Sequence, residues 1–249
     1  TINILMGYLK PRSGECRIFG EDIQRMQPVT RERIALLIEN HVQYTFMNIE
    51  QIERFYSAFY PKWNKEAYYE LMRKLKVAPK QKISRMSCGQ RWQGALGLIL
   101  AQNADLLVLD DFSIGLDPGY RRLFTEYLRE YAKAEEKTIF LTSHIIQDME
   151  RLVDDCIIMD YGRILIQKPV KELLDTFTRY SFKPSSPDKL PHDPSLYSTA
   201  AIRDSAETYS FENEECIKRI LQEQSIPYTD FKSEKMNLED VFIGLTGKY

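Results

Sequence analysis

"LLVLDDFSIGLDPG", Leu106–Gly119, runs four apolar residues straight into two adjacent aspartates, Asp110 and Asp111, and adds a third at Asp117. A short apolar run bounded by turn residues reads as a buried strand. Adjacent carboxylates at its end repel each other and lose solvation unless a cation or a hydrogen-bond donor compensates them. The rest of the chain has to say which compensation applies.

Working outward from that strand, apolar and turn segments alternate. The spacing predicts strands at 105–110, 137–142 and 155–160, with helices at 119–134 and 145–152 between them. Such alternation argues for a mostly parallel sheet covered by helices, an α/β fold. Upstream, "RIALLIE" (33–39) is a further strand that ends in a carboxylate, and "PRSGECRIFG" reads as a turn and a short strand. From Asn48 to about Lys76 the chain is helical and aromatic, and Pro61 and Asn64 divide it into two helices, Asn64 being a good N-cap. Met86–Asn103 is a strongly apolar helix. Downstream, "DYGRIL" makes a turn and a return strand, and 169–178 is one more helix. "KPSSPDKLPHDPS" (183–195) carries four prolines and reads as a linker. A small α/β appendage follows, with strands at 206–212 and 226–232 around a helix at 214–224. The opening "TINILMGYL" has helical spacing without a capping residue before it, so a preceding segment is expected.

The chain has 249 residues, enough for one large domain or a domain and a half. A net charge of −2 gives no global pull toward nucleic acid or anionic lipid, so no nucleic-acid partner is expected. The four cysteines are scattered without metal-ligand spacing, which fits reduced thiols in a cytosolic compartment. No apolar run approaches the roughly 18 to 20 residues that cross a bilayer, so work at a membrane would go through a partner.

Three stretches carry chemistry. At Asp110 and Asp111, one carboxylate caps the next turn, or else Asp110 orders Mg²⁺ while Asp111 faces an attacking water in a phosphate-binding site. In "MSCGQRWQG" (86–94), Ser87 and Gln90 form an S-x-x-Q capping box at the mouth of the apolar helix. The same helix end turns backbone N–H groups outward as an anion site, and Gly89 lets a phosphate approach the backbone. In "TIFLTSHIIQDME" (138–150), a strand ends in Ser143 and His144, one strand beyond the aspartates. Neighbouring strand ends converge there on a ligand crevice, where a histidine can bond a phosphate or orient water.

Taken in order, these stretches resemble the ATP-binding-cassette (ABC) ATPase family. "MSCGQ" stands at the position of the signature motif, "LLVLDDFS" at the Walker B strand, "IGLDP" at the D-loop and "LTSHI" at the H-loop. "TINILMGYLKPRSGECRIFG" is similar to the segment that follows the Walker A lysine and threonine. The resemblance covers 1 to about 175. The ending "NLEDVFIGLTGK" looks like the tail of ATPases that serve drug- and lipid-type exporters. Four positions depart from the family pattern. The residues contain no Walker A loop, Cys88 replaces the first signature glycine, Glu39 stands where the Q-loop glutamine is usual (with Gln43 close by), and Asp111 occupies the place of the catalytic glutamate.

The resemblance implies a P-loop NTPase core over 1–178 with a helical subdomain at about 48–103, and a linker and accessory domain over 179–249. It implies ATP and Mg²⁺ as cofactors, a second ABC ATPase subunit packed head to tail, and an integral-membrane permease that holds the protein at the cytoplasmic face of the membrane. In that scheme Asp110 orders Mg²⁺, Asp111 polarises water, and His144 meets the γ-phosphate. Glu39 or Gln43 senses metal and permease. Ser87, Gly89 and Gln90 reach across from the partner copy, and Asp117 lies at the dimer seam. The leading expectation is a transport motor that hydrolyses ATP, slowly because Asp111 replaces the usual glutamate. The alternatives are a weakly hydrolysing permease-bound switch and a soluble ABC protein of translation or DNA repair.

Overall fold

Residues 1–38, 44–113, 116–186 and 189–247 are described by a computed structural model, in which the chain forms two units, Thr1–His144 and Ile145–Tyr249. The first unit opens with a helical turn, Ile2–Leu5 (α1), and a hairpin of Arg17–Ile18 (β1) and Glu21–Asp22 (β2). Pro28–Arg31 (α2) leads into Ile34–Leu37 (β3). Two helices follow, Ile49–Ser57 (α3) and Lys65–Lys74 (α4), then the long apolar helix Cys88–Ala101 (α5). Leu106–Asp110 (β4), Pro118–Ala134 (α6) and Thr138–Thr142 (β5) complete the unit.

The sheet is parallel, in the order β3-β4-β5. Ile34 aligns with Leu106 and Leu37 with Leu109, while Leu106 aligns with Thr138 and Asp110 with Thr142. Helices carry the chain from β3 to β4 and from β4 to β5, as parallel pairing requires. Leu107, Val108 and Leu109 in the central strand are all buried, so both faces of β4 are covered. On one of them Ile2, Met6, Ile23, Met26 and Ile34 cluster with Val108.

Local chemistry starts the helices. Asn48 and Gln51 make a reciprocal capping box at α3, and the Asn64 side chain accepts from Ala67 N–H at 3.0 Å at α4. α4 packs on α5 closely: a Cβ on Gly97 would lie 3.0 Å from Met72 Cε and 3.1 Å from Leu71 Cδ2. At the opposite end of the sheet from the paired aspartates, Arg33 Nε meets Asp105 Oδ2 at 2.6 Å and Lys137 Nζ lies 3.9 Å from Oδ1, tying together the starts of all three strands.

The second unit begins with a short helix, Ile146–Met149 (α7), and an antiparallel hairpin of Asp155–Asp160 (β6) and Arg163–Pro169 (β7). Tyr161 and Gly162 turn it with φ of 44° and 78°, the double positive φ of a tight hairpin turn. Val170–Thr176 (α8), Thr178–Pro184 (β8), Tyr197–Ile202 (β9), Ser205–Ser210 (β10), Glu214–Glu223 (α9), Tyr228–Lys235 (β11) and Leu238–Thr246 (α10) follow. β11-β8-β10-β9 form one antiparallel sheet. Its core joins Tyr180, Phe182 and Ala206 to Ile217, Ile220 and Leu221 of α9.

The structure corrects several expectations. The 145–152 helix is only α7, and β6 pairs antiparallel with β7 rather than extending the parallel sheet among the described residues. The linker expected at 183–195 begins inside a strand, β8. β9 and α10 are further elements that the spacing does not predict. β8 is legible in principle, since Tyr180 and Phe182 alternate inward from a polar strand, but the prolines that follow mask it.

Candidate functional site

The C-terminal ends of β4 and β5 lie side by side because the register pairs Asp110 with Thr142. There the Asp110 carboxylate accepts from Thr142 Oγ1 at 2.6 Å. One residue on, Asp111 takes the left-handed conformation, φ 51°, which turns its side chain away from the strand direction. Its carboxylate meets His144 Nδ1, at 2.8 Å from both oxygens. The Asp111 side chain is 22% exposed and that of His144 is 61% exposed. The pair therefore has an enclosed acid and an accessible imidazole. With the carboxylate ionised, the proton lies on Nδ1, so in the neutral ring Nε2 is an acceptor. The two adjacent aspartates thus find their compensation in a hydroxyl and an imidazole, one each.

The second group forms at the mouth of α5. Ser87 Oγ accepts from Gln90 N–H at 3.1 Å, and Gln90 Oε1 accepts from Ser87 N–H at 3.0 Å, a complete capping box. At the start of α6, Asp117 accepts from Gly119 N–H at 3.0 Å and Tyr120 N–H at 3.1 Å. These two helix mouths line one shallow cavity of about 310 Å³ with Ser87, Gly89, Gln90, Gln93, Leu116, Asp117 and Tyr120. The positive dipole end of α5 suits an anion on that side of the cavity, whereas at α6 the Asp117 carboxylate already takes the Gly119 and Tyr120 N–H groups.

Asp110, Asp111 and His144 are thus brought together, and so are Ser87, Gly89, Gln90 and Asp117. Glu39 and Gln43 lie outside the described residues. A hydrogen bond that sequence reasoning missed joins the neighbourhoods of the two groups: Trp92 Nε1, on α5, donates to the carbonyl of Phe112, the residue after Asp111. Thr142 was missed as well. It sits within the quoted "LTSHI", but only the strand register shows that its hydroxyl faces Asp110.

Among the described residues, no three His, Cys, Asp or Glu side chains converge as a metal cage. The donor set at Asp110 fits an ion held by one or two carboxylates, water and substrate phosphates, which is how Mg²⁺ is commonly bound.

Residues 1–113 match the family model described as ABC transporter. The chain is 26% identical over 260 residues to the bacitracin transport ATP-binding protein BcrA of Bacillus licheniformis, covering 99% of this chain and 84% of that one. It is likewise 26% identical over 256 residues to the Nod factor export ATP-binding protein I of Cupriavidus metallidurans, covering 100% of this chain and 84% of that one. Among solved structures, an ATP-binding subunit of an ABC transporter shares the fold with a TM-score of 0.61 at 24% identity, over 70% of this chain and 74% of the other. The matched residues, the relatives and the shared fold agree in making this chain similar to ABC transporter ATP-binding subunits.

Proposed function

We propose that this protein is the ATP-hydrolysing subunit of a transporter and drives substrate movement through a separate membrane permease. The observation that carries the reading is the strand-end arrangement, with Asp110 held by Thr142 and Asp111 paired to His144. Mg²⁺ bound with ATP would supply charge neutralisation at the phosphates. Asp110 orders that ion. Asp111 polarises the attacking water, and His144 presents Nε2 to water or, when doubly protonated, to a phosphate oxygen. Ser87, Gly89 and Gln90 offer their helix mouth to the nucleotide of a second subunit across a head-to-tail dimer, with Asp117 at the seam. Glu39 or Gln43 takes the Q-loop role.

The relatives named for bacitracin transport and Nod factor export support a transport assignment and an exporter type. Among the described residues no helix is long and apolar enough to cross a membrane, so the path itself would belong to the permease. The helical subdomain at about 48–103 would receive it. At its edge Tyr44, just before the subdomain, forms a chain of edge-to-face rings with its Phe55 and Phe59, with centroids 5.1 and 5.2 Å apart, and Phe46 and Phe59 are exposed. The nucleotide-binding domain in this reading runs to about residue 178, where β8 starts the antiparallel sheet of an accessory domain at 179–249.

A second reading, a slow permease-bound switch, is favoured by Asp111 itself. Both of its oxygens face one imidazole nitrogen, and a shorter carboxylate reaches less far toward water. The experiment common to both is phosphate release by the full-length protein. Asp110→Asn should abolish Mg²⁺-dependent turnover, and an Asp110→Asn variant as fast as the parent would sink the assignment.

A further inference from the structure

Thr142 is the residue through which the two aspartates are joined. Its Oγ1 donates to Asp110 Oδ1 at 2.6 Å, the short geometry of a hydrogen bond to a charged acceptor. The same oxygen accepts from the Asp111 N–H at 3.2 Å, and that N–H is shared with the Thr142 carbonyl at 3.1 Å. Once the hydroxyl proton is committed to Asp110, the lone pairs of Oγ1 are left to face the Asp111 amide. The amide so held belongs to a non-glycine residue at φ 51°, a conformation that persists only where its surroundings over-determine it. Because Thr is β-branched, its χ1 is restricted and the hydroxyl position is set by the strand backbone.

The geometry points to Thr142 as a positioning residue of the proposed ATPase site. Its hydroxyl orients the Asp110 carboxylate toward the metal side and holds Asp111 in the left-handed turn that presents its carboxylate to His144. This rests on the reading of Asp110 as the metal-ordering carboxylate. The hydroxyl touches neither nucleotide nor water in this role. It acts through the two aspartates.

The test uses the full-length protein with Mn²⁺ and a non-hydrolysable ATP analogue, with bound Mn²⁺ read by electron paramagnetic resonance. Thr142→Val keeps the shape and removes the hydroxyl, Thr142→Ala removes both, and Thr142→Ser keeps the hydroxyl. Losing a partner that orients a ligand typically costs about 10–100-fold in metal affinity, so the Val and Ala variants should weaken Mn²⁺ binding on that scale while the Ser variant stays within about threefold of the parent. In the nucleotide-free protein, amide hydrogen exchange at Asp111 should quicken in the Val and Ala variants and not in the Ser variant. Mn²⁺ affinity unchanged by Val and Ala, or a Ser variant as weak as the Val variant, would overturn the proposal. Asp110→Asn, run alongside, separates the two levels. If it leaves Mn²⁺ affinity intact, the metal reading fails and Thr142's role with it; if it lowers affinity while the Val and Ala variants do not, Thr142 alone is excluded.

Discussion

Asp111 is one methylene shorter than the glutamate usual at its position in the family, and its carboxylate is already turned toward His144. A carboxylate roughly 1 Å or more out of place can cost about a hundredfold in rate, because positioning and electrostatics supply nearly all the catalysis in phosphoryl transfer. Asp111→Glu should therefore raise steady-state phosphate release, by up to about that factor, and Asp111→Asn should trap an ATP-bound dimer visible by size-exclusion chromatography. A Glu variant slower than the parent would show that the site was built around aspartate. Nearby, Phe112 is fully buried and its carbonyl depends on Trp92. Trp92→Phe keeps a ring there and removes the donor. An abandoned buried carbonyl costs about 1–3 kcal/mol, so chemical denaturation should show a loss of that size. Undiminished stability would mean that another donor serves the carbonyl.

The sheet of the first unit is held at its other end by Asp105, which meets Arg33 and Lys137 from the neighbouring strand starts. The Arg33 hydrogen bond, helped by the charges of Lys62, Arg33 and Lys137, holds the Asp105 carboxyl below its ordinary value against the opposing effect of burial. A lowered folded value means that the contribution is fully present above about pH 3.8 and is lost as pH falls through the folded value. Parent and Asp105→Asn should differ by under about 1 kcal/mol at neutral pH, since the partners are partly exposed, and the difference should vanish in acid. A gap in melting temperature that widens on acidification would contradict this assignment. In the second unit, α10 approaches its neighbours closely at Gly244, where an added Cβ would lie 2.6 Å from Tyr209 Cδ1 and 3.0 Å from Phe177 Cε1. Gly244→Ala should overpack this contact and cost about 1–3 kcal/mol, measurable by thermal unfolding. Parent-like stability would show that the two rings give way freely.

For the whole protein, the proposed head-to-tail pairing puts one subunit's aspartates opposite the other's Ser87 helix mouth. Ser87→Ala and Asp110→Asn, each inactive or slow alone, should then complement when mixed. Random pairing gives half heterodimers with one intact site of two, so roughly a quarter of the parent rate is expected from a symmetric dimer. Phosphate release by the mixture is the measurement, and a rate equal to the mean of the two separate proteins would rule out composite sites.

Much of this is legible from the residues because it is local. The capping box of Ser87 and Gln90 and the Asn64 cap join residues three apart, and β4 announces itself as an apolar run. The strand-helix alternation around 105–142 likewise leads to the parallel order in which β4 and β5 end together, placing Asp110, Asp111 and His144 near one another. The order of the motifs along the chain carries the family resemblance in the same way. What only the tertiary structure decided are the pairings between residues far apart in the chain: Thr142 on Asp110, Trp92 on Phe112, His144 on Asp111. The same holds for β9, whose Ser198–Ala201 stretch of short side chains carries little pattern. A side chain's chemistry is written in the chain, but its partner depends on register, and a shift of one residue turns every side chain in a strand to the other face.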